Sequence, residues 1–132
     1  MNESLLFNLI KHKLVPDLEA TDQFNPTDGI SKEKELGIEL KCRRQHYRYL
    51  LIEKKKYDKL IQHKQARYIN SIPNGDKYEV YSWNVKKLSN LRWHMKWMPE
   101  TTDFGKKCWV EKEVAFIDRN CAINITDALF NE

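Results

Sequence analysis

The segment from Leu36 to Cys42 constrains the fold of this chain more than any other stretch. Apolar residues alternate along it with small or charged ones, in the order Leu36-Gly37-Ile38-Glu39-Leu40-Lys41-Cys42. This period of two predicts a β-strand with one buried face. Glu39 and Lys41 are two positions apart, so they are expected to project side by side from the other face.

Two helices are predicted around this strand. Apolar residues at helical spacing predict an amphipathic helix from about Glu3 to Lys13, which Pro16 ends. Residues 17–35 are rich in turn-forming and polar residues and predict a loop with one short strand near Phe24 to Ile30. After the strand, a helical apolar pattern predicts a second helix over about His46 to His63, with a basic opposite side.

The C-terminal half is predicted to be mainly β-structure. Strands over Ala66 to Ile72 and Tyr78 to Val85 are joined by the turn Pro73-Asn74-Gly75-Asp76. A short helical turn is predicted within Asn84 to Asn90. Strands are predicted over Arg92 to Met98 and Cys108 to Ile117, with a loop over Pro99 to Gly105 between them. A last turn is predicted to be capped by Thr126 and to run to Phe130. The four tryptophans, Trp83, Trp93, Trp97 and Trp109, are expected to build the core. The order predicts one α/β domain of 132 residues with a central mixed β-sheet flanked by helices.

Positive charge is concentrated in one segment. The chain has 23 Lys and Arg against 19 Asp and Glu, but the span from Lys41 to Arg67 holds ten basic residues and two acids. Such a region suits a polyanion such as nucleic acid, although a solvated lysine-rich helix face has the same composition.

Several other classes of function find no support in the sequence. It has no Gly-rich phosphate loop and no dinucleotide or serine-nucleophile motif, so no nucleotide cofactor is expected. Its histidines and three cysteines lack zinc spacing, and the odd, scattered cysteines favour a reducing cytoplasm. No apolar run reaches membrane-spanning length, so no membrane partner is expected.

The acids around the strand suggest chemistry on a phosphodiester. Such hydrolysis needs a metal ion to activate water and groups that stabilise the added negative charge. Mg²⁺ prefers oxygen ligands, often one or two carboxylates. Glu39 supplies one, and Asp28, eleven residues upstream, supplies the second if a short hairpin through residues 31–35 returns the chain beside the strand. Three other acids, Asp17, Glu19 and Asp22, remain alternatives to Asp28.

Asp28 followed by Glu39-Leu40-Lys41 resembles the motif of the PD-(D/E)xK nuclease superfamily, an acid and a later acid-x-Lys on a strand before a helix. The segment from Pro16 to Leu60 is similar to small bacteriophage proteins of that superfamily. The resemblance implies a restriction-endonuclease-like core in the order helix, strands, helix, strands. It also implies that Asp28, Glu39 and the carbonyl of Leu40 bind Mg²⁺ or Mn²⁺, with Lys41 as catalytic base or charge stabiliser.

The same resemblance marks Glu53 and Tyr57 as accessory residues, where relatives often carry Gln-x-x-x-Tyr. Candidate DNA contacts come from the basic segment: Arg43, Arg44, Arg48, Lys54, Lys55 and Lys56. The sequence thus predicts a metal-dependent DNA nuclease, phage-encoded, acting in the host cytoplasm, for which family analogy suggests a homodimer. The alternative is a nucleic-acid-binding or interaction protein that keeps the fold without cutting, with Glu39 and Lys41 forming an ordinary ion pair.

Overall fold

The computed structural model describes residues 1–22, 27–99 and 109–131, which form a mixed α/β fold with three α-helices and nine β-strands. In chain order these elements are α1 (Glu3–Lys13), β1 (Glu19–Ala20), β2 (Gly29–Ser31), β3 (Leu36–Cys42), β4 (Tyr49–Glu53), α2 (Lys54–Leu60), β5 (Gln65–Asn74), β6 (Lys77–Asn84), β7 (His94–Pro99), β8 (Trp109–Asp118), β9 (Ile123–Asn124) and α3 (Thr126–Phe130). Short 3₁₀ turns follow β6 at Val85–Lys87 and β8 at Arg119–Cys121.

The described strands form two sheets. The larger is six-stranded and mixed, in the order β1-β2-β3-β5-β6-β9, and the smaller has the order β4-β8-β7. Strands β3 and β5 are parallel neighbours, whereas the other pairs in both sheets are antiparallel. Parallel neighbours need a long crossover connection, and here β4 and α2 are part of it.

Hydrophobic residues pack on both faces of the larger sheet. Leu6 and Ile10 of α1 belong to one core cluster with the β3 residues Leu36, Ile38 and Leu40. A second cluster combines residues of the smaller sheet and α2 with the opposite face of the larger sheet, and its buried members include Leu50, Ile52, Leu60, Tyr68, Trp83, Ala115 and Ile117. The prediction that β3 has one buried face is therefore wrong, because Gly37 and Glu39 on its second face are also buried.

The predicted helix over His46 to His63 is also wrong in its first half. The chain forms β4 over Tyr49–Glu53, and the helix covers only Lys54–Leu60. Leu50 and Ile52 are buried while Tyr49 is exposed, which is the alternation of a strand paired with β8. An apolar run this short fits the hydrophobic period of a helix as well as that of a strand. Pairing with β8 decides in favour of the strand.

Two further predictions need correction. Trp83 is fully buried and Trp93 packs beside the second cluster, but Trp97 and Trp109 are 61% and 58% exposed on the β7–β8 hairpin and do not belong to the core. The last helix is present, but Thr126 is its first residue and does not cap it; its hydroxyl accepts a hydrogen bond from the backbone of Val80 instead.

The remaining elements follow the predictions closely. Helix α1 and strand β3 have the predicted bounds, and β5 to β8 and the turn at Val85–Lys87 lie within a few residues of theirs. The short strand predicted near Phe24 to Ile30 corresponds to β2, while residues 23–26 and most of the predicted loop after Pro99 lie outside the described residues. Among the described helices, none combines the length and apolar character that crossing a membrane requires.

Candidate functional site

Asp28 lies just before β2 and directly beside β3. Its backbone N–H donates to the carbonyl of Ile38 at 2.9 Å, and its Oδ2 accepts a hydrogen bond from the N–H of Leu40 at 2.7 Å. In antiparallel pairing the N–H and C=O of one residue point to the same neighbour, so the Leu40 carbonyl points toward the edge that Asp28 occupies. The β2–β3 hairpin thus returns the chain as the sequence predicts and brings Asp28 beside Glu39.

Glu39 is a buried acid, only 3% exposed, on the face of β3 that looks toward α2. Its Oε1 lies 3.1 Å from the ammonium of Lys56, and no donor among the described residues reaches its Oε2. Burial raises the pKa of Glu39 to about 8; Lys56 opposes that rise, and the carboxyl of Asp28 adds to it. While Glu39 is ionised, this buried oxygen faces an acidic neighbour without a donor, which costs free energy; protonation of Glu39 lets the two carboxyl groups hydrogen-bond to each other.

Lys41 follows on the same face of β3 and is half-buried. Burial lowers the pKa of its ammonium, and the nearby cations Lys56 and Arg43 lower it further. Glu3 of α1 and Glu53 act in the opposite direction, so both acids lie close enough to influence it. A lysine with a lowered pKa is better able than a surface lysine to release and accept a proton near neutral pH.

Glu53 connects the two sheets through lysines. Its Oε1 lies 2.8 Å from Lys112 of β8, and its Oε2 lies 3.7 Å from Lys56. Although burial alone would raise the pKa of Glu53, the two lysines hold it below its ordinary value. Burial likewise disfavours the Lys56 ammonium, but the charges of Glu39 and Glu53 outweigh that effect and raise its pKa. Lys56 is thus the shared counter-ion of two carboxyl groups.

Arg43 has a structural role that differs from the predicted contact with DNA. Its Nε donates to Asn70 Oδ1 at 2.8 Å, and its Nη2 donates to the carbonyl of Leu51 at 2.6 Å and to the hydroxyl of Tyr68 at 2.9 Å. Tyr68 Oη also donates to the Leu51 carbonyl. This network ties the end of β3 to β4 and β5, and it uses two of the three guanidinium nitrogens.

The other predicted DNA contacts are spread over the surface. Lys55 and Arg44 are exposed, while Arg48 lies 3.6 Å from Asp118 and over the ring of Tyr49. Lys54 binds Asp58 at 3.0 Å and lies over the ring of Trp93. Tyr57, the predicted accessory aromatic, packs against Trp93 at 5.2 Å, and no contact with Glu39 or Lys41 is found for it.

The alternatives to Asp28 lie elsewhere. Asp17 accepts hydrogen bonds from Ser31 Oγ at 2.7 Å and from the N–H of Glu33 at 3.1 Å, which stabilise the β2–β3 turn and lower its pKa. Glu19 is exposed on β1, and Asp22 is exposed in the segment that follows it. Asp28 is therefore the acid that contacts β3.

The oxygen atoms near Glu39 suit a hard divalent cation that completes its coordination with water. The described residues contain no group of three His, Cys, Asp or Glu side chains arranged to hold a metal. Two carboxyls and a nearby carbonyl match Mg²⁺, which keeps several waters and takes further oxygens from substrate phosphates. The unsatisfied Oε2 of Glu39 is the atom that such a cation would satisfy.

Sequence reasoning missed the residues that surround this pair. Lys56 was expected to contact DNA, and neither Lys112 nor Asn70 was singled out. Asn70 lies opposite Lys41 in the β3–β5 register and is fully buried. Its position in the apolar stretch of β5 was a signal, because a polar residue there needs partners. Lys112 carried no comparable signal, since alternating charges on a strand usually mark a solvated face.

Comparison with protein-family models, with curated proteins and with solved structures gave no match for this chain.

Proposed function

We propose that this protein is a metal-dependent nuclease of the PD-(D/E)xK type that hydrolyses phosphodiester bonds in DNA, with Mg²⁺ or Mn²⁺ at Asp28 and Glu39. The mixed sheet, with α1 on one face and the acid-x-Lys strand β3 beside a parallel neighbour, is compatible with the restriction-endonuclease-like core that the motif implies. The proposal includes phage origin and a homodimer only as implications of the family resemblance.

One observation carries the proposal: Glu39 Oε2 is buried without a donor, next to a second carboxyl group. A fold gains nothing from placing a buried acid beside a second acid, since the carboxyl of Asp28 disfavours ionisation of Glu39. A bound divalent cation reverses that balance, because it favours both charged forms and satisfies the orphaned oxygen.

The residues around the pair have complementary tasks. A cation held by Asp28, Glu39 and the Leu40 carbonyl would polarise a phosphate and acidify water. The N–H of Leu40 orients the Asp28 carboxylate, as outer hydrogen bonds do for ligands. Lys41 accepts a proton from the attacking water or stabilises the charge that develops on the phosphate. Lys56 contacts Glu53 as well as Glu39, so it would keep a counter-ion if a cation bound Glu39, and its ammonium would lie near the phosphate of a bound substrate.

A nucleic-acid-binding protein that does not cut is the second candidate. It is favoured by the 3.1 Å contact between Lys56 and Glu39, which already gives the buried acid a counter-ion. Under this alternative, the acids and lysines form a structural ion network and no metal enters.

Metal binding and DNA cutting separate the two candidates. Titration calorimetry with Mn²⁺ is expected to show binding to the wild-type protein and a large loss of affinity in both Asp28→Asn and Glu39→Gln. Glu33→Gln, which changes an exposed acid in the β2–β3 turn, is the matched control and should bind like wild type. Absence of Mn²⁺ binding in the wild type would exclude the metal site.

Lys41→Ala is expected to reduce nicking of supercoiled plasmid by about a hundredfold or more, the usual contribution of a positioned acid or base. Its circular dichroism spectrum and Mn²⁺ affinity should be retained, and Lys34→Ala on the exposed turn should cut normally. If the wild type binds DNA but leaves linear, single-stranded, branched and supercoiled substrates uncut with Mg²⁺ and Mn²⁺, the non-cutting alternative is correct.

A further inference from the structure

The smaller sheet has one face with an unusual combination of exposed rings and cations. By the strand register, this face carries Tyr49, Leu51 and Glu53 from β4, Lys112, Val114 and Phe116 from β8, and His94 and Lys96 from β7. Tyr49 is 51% exposed and Phe116 is 46% exposed, although large rings are normally buried. We call this surface the basic face.

Basic side chains on the basic face, and Arg48 just before β4, lie against its rings. Lys96 Nζ lies 5.2 Å from the ring centre of Phe116, His94 stacks on the same ring at 5.7 Å, and Arg48 lies 5.3 Å from the ring of Tyr49. Lys96 and Lys112 are also direct cross-strand neighbours. Like charges in that position repel, and the carboxylate of Glu53 offsets part of this repulsion through its contact with Lys112.

The two acids on or beside this face are already neutralised. Glu53 lies 2.8 Å from Lys112, and Asp118, which follows Phe116 on the same side, lies 3.6 Å from Arg48. The opposite face of the β7–β8 hairpin carries Met95, Trp97 and Trp109 together with Glu111 and Glu113. The same two pairs also occupy Lys112 and Arg48, so Lys96, which is exposed and forms no ion pair among the described residues, supplies most of the positive charge of the basic face. The acids Glu111 and Glu113 give the reverse side the opposite character.

The basic face is also continuous with the candidate site. Glu53 belongs to this face, contacts Lys56 at 3.7 Å, and Lys56 contacts Glu39 at 3.1 Å. A chain of direct contacts thus runs from Lys112 to the buried acid. A polyanion lying along the face would come close to Lys56, which is half-buried and contacts the buried acid directly.

We infer that the basic face, with Phe116 and Tyr49 as stacking platforms and Lys96 and Arg48 as phosphate contacts, binds single-stranded nucleic acid and delivers it to the site at Glu39. Exposed rings next to cations match the two needs of a single strand, which presents its bases for stacking and its phosphates for neutralisation. A duplex hides the faces of its bases, so it would use the cations but leave the rings without partners. The delivery step rests on the proposed function, whereas the binding surface does not.

The test measures binding without cutting. Fluorescence anisotropy of a labelled oligothymidylate in EDTA is compared between wild type and two variants, Phe116→Ala and Lys96→Glu. Each is expected to weaken binding by about fivefold or more, as loss of a stacking ring does at such surfaces. The matched controls are Phe130→Ala, since Phe130 is also 46% exposed, and Lys32→Glu, an exposed lysine in the β2–β3 turn; both should bind like wild type. A duplex of equal length should bind more weakly than the single strand.

The binding experiment tests the basic face independently of whether the protein cuts DNA. Loss of single-strand binding in both basic-face variants, with folding retained by circular dichroism, supports the inference even if no variant or wild type ever cuts DNA. Wild-type affinity in Phe116→Ala and Lys96→Glu overturns the inference even if the protein cuts plasmid. Sedimentation in which Lys96→Glu dissociates a dimer while single-strand binding is unchanged also overturns it, because a second copy of the chain would then occupy the face.

Discussion

At the scale of single residues, the burial of Glu39 carries an electrostatic cost. Its carboxyl group is 3% exposed, has one oxygen without a donor, and lies beside Asp28. Lys56 recovers part of this cost through one short contact at 3.1 Å. Groups whose pKa is perturbed by burial and by a neighbouring charge cluster at functional sites, which is the reason Glu39 is the centre of the proposed site.

This cost predicts how stability depends on pH. The raised pKa of about 8 means that the folded protein holds a proton on Glu39 that the unfolded chain releases near its ordinary pKa of 4.5. The favourable contribution of that bound proton is present below about pH 4.5 and is lost as the pH rises through about 8. We expect Glu39→Gln to match wild type at about pH 5 and to become more stable than wild type at about pH 8.5, by a few kcal/mol at about 1.4 kcal/mol per pKa unit.

Urea unfolding at both pH values, in EDTA, measures this difference. Glu33→Gln is the control and should show the same offset from wild type at each pH, because its carboxyl group is exposed in a turn. A constant offset for Glu39→Gln across the range would show that Glu39 has the same pKa in the folded protein as in the unfolded chain, which contradicts the prediction.

At the scale of elements, the crossover between β3 and β5 decides the geometry of the site. The chain leaves β3, forms β4 on the smaller sheet, and then turns into the short helix α2. Glu53 ends β4 and Lys56 lies in the first turn of α2, so both charged groups come from the junction. A continuous helix from His46, as the periodicity alone predicts, would remove the strand that carries Glu53.

The strand and helix interpretations of this segment predict different costs for two adjacent leucines. In β4, Leu50 is buried at 1% exposure and Leu51 is only half-buried, whereas on an amphipathic helix both would share the apolar side. Leu50→Ala is expected to lower the free energy of unfolding by about 2–5 kcal/mol, and Leu51→Ala by about 1 kcal/mol or less. Chemical unfolding of the two variants gives the comparison, and equal losses would contradict the strand.

At the scale of the whole molecule, the larger sheet is shared by two hydrophobic clusters. Ile10 of α1 belongs to the cluster on one face, and Ile52 of β4 belongs to the cluster on the other. Strands β3, β5 and β6 contribute residues to one or both clusters, so neither can lose its packing without exposing the other. The chain is therefore expected to unfold in one cooperative transition.

This expectation is tested with one variant in each cluster. Ile10→Ala and Ile52→Ala should each lower stability by about 2–5 kcal/mol. In both, the urea midpoints from far-ultraviolet circular dichroism and from tryptophan fluorescence should remain coincident. If Ile10→Ala shifts the circular dichroism midpoint while the fluorescence midpoint is unchanged, the two faces unfold separately.

The sequence alone was sufficient to predict those elements whose apolar residues follow a clear helical or strand period. Helix α1 begins after Asn2, whose side chain caps it, and ends before Pro16, so its bounds can be predicted from capping and periodicity. The alternation along β3 likewise places Glu39 and Lys41 on one face, and the short turn before it returns Asp28 to the neighbouring edge. These are interactions over a few residues, which the order of amino acids specifies directly.

The tertiary structure decided what lies opposite those residues. The burial of Glu39, its contact with Lys56, the inward position of Arg43 and the exposure of Trp97 and Trp109 all depend on where β4, α2 and the β7–β8 hairpin pack. These features cannot be predicted from local sequence patterns, because they arise from contacts between segments far apart in the chain. The residue types at the candidate site follow from the sequence, whereas their protonation and partners follow from the packing of two sheets.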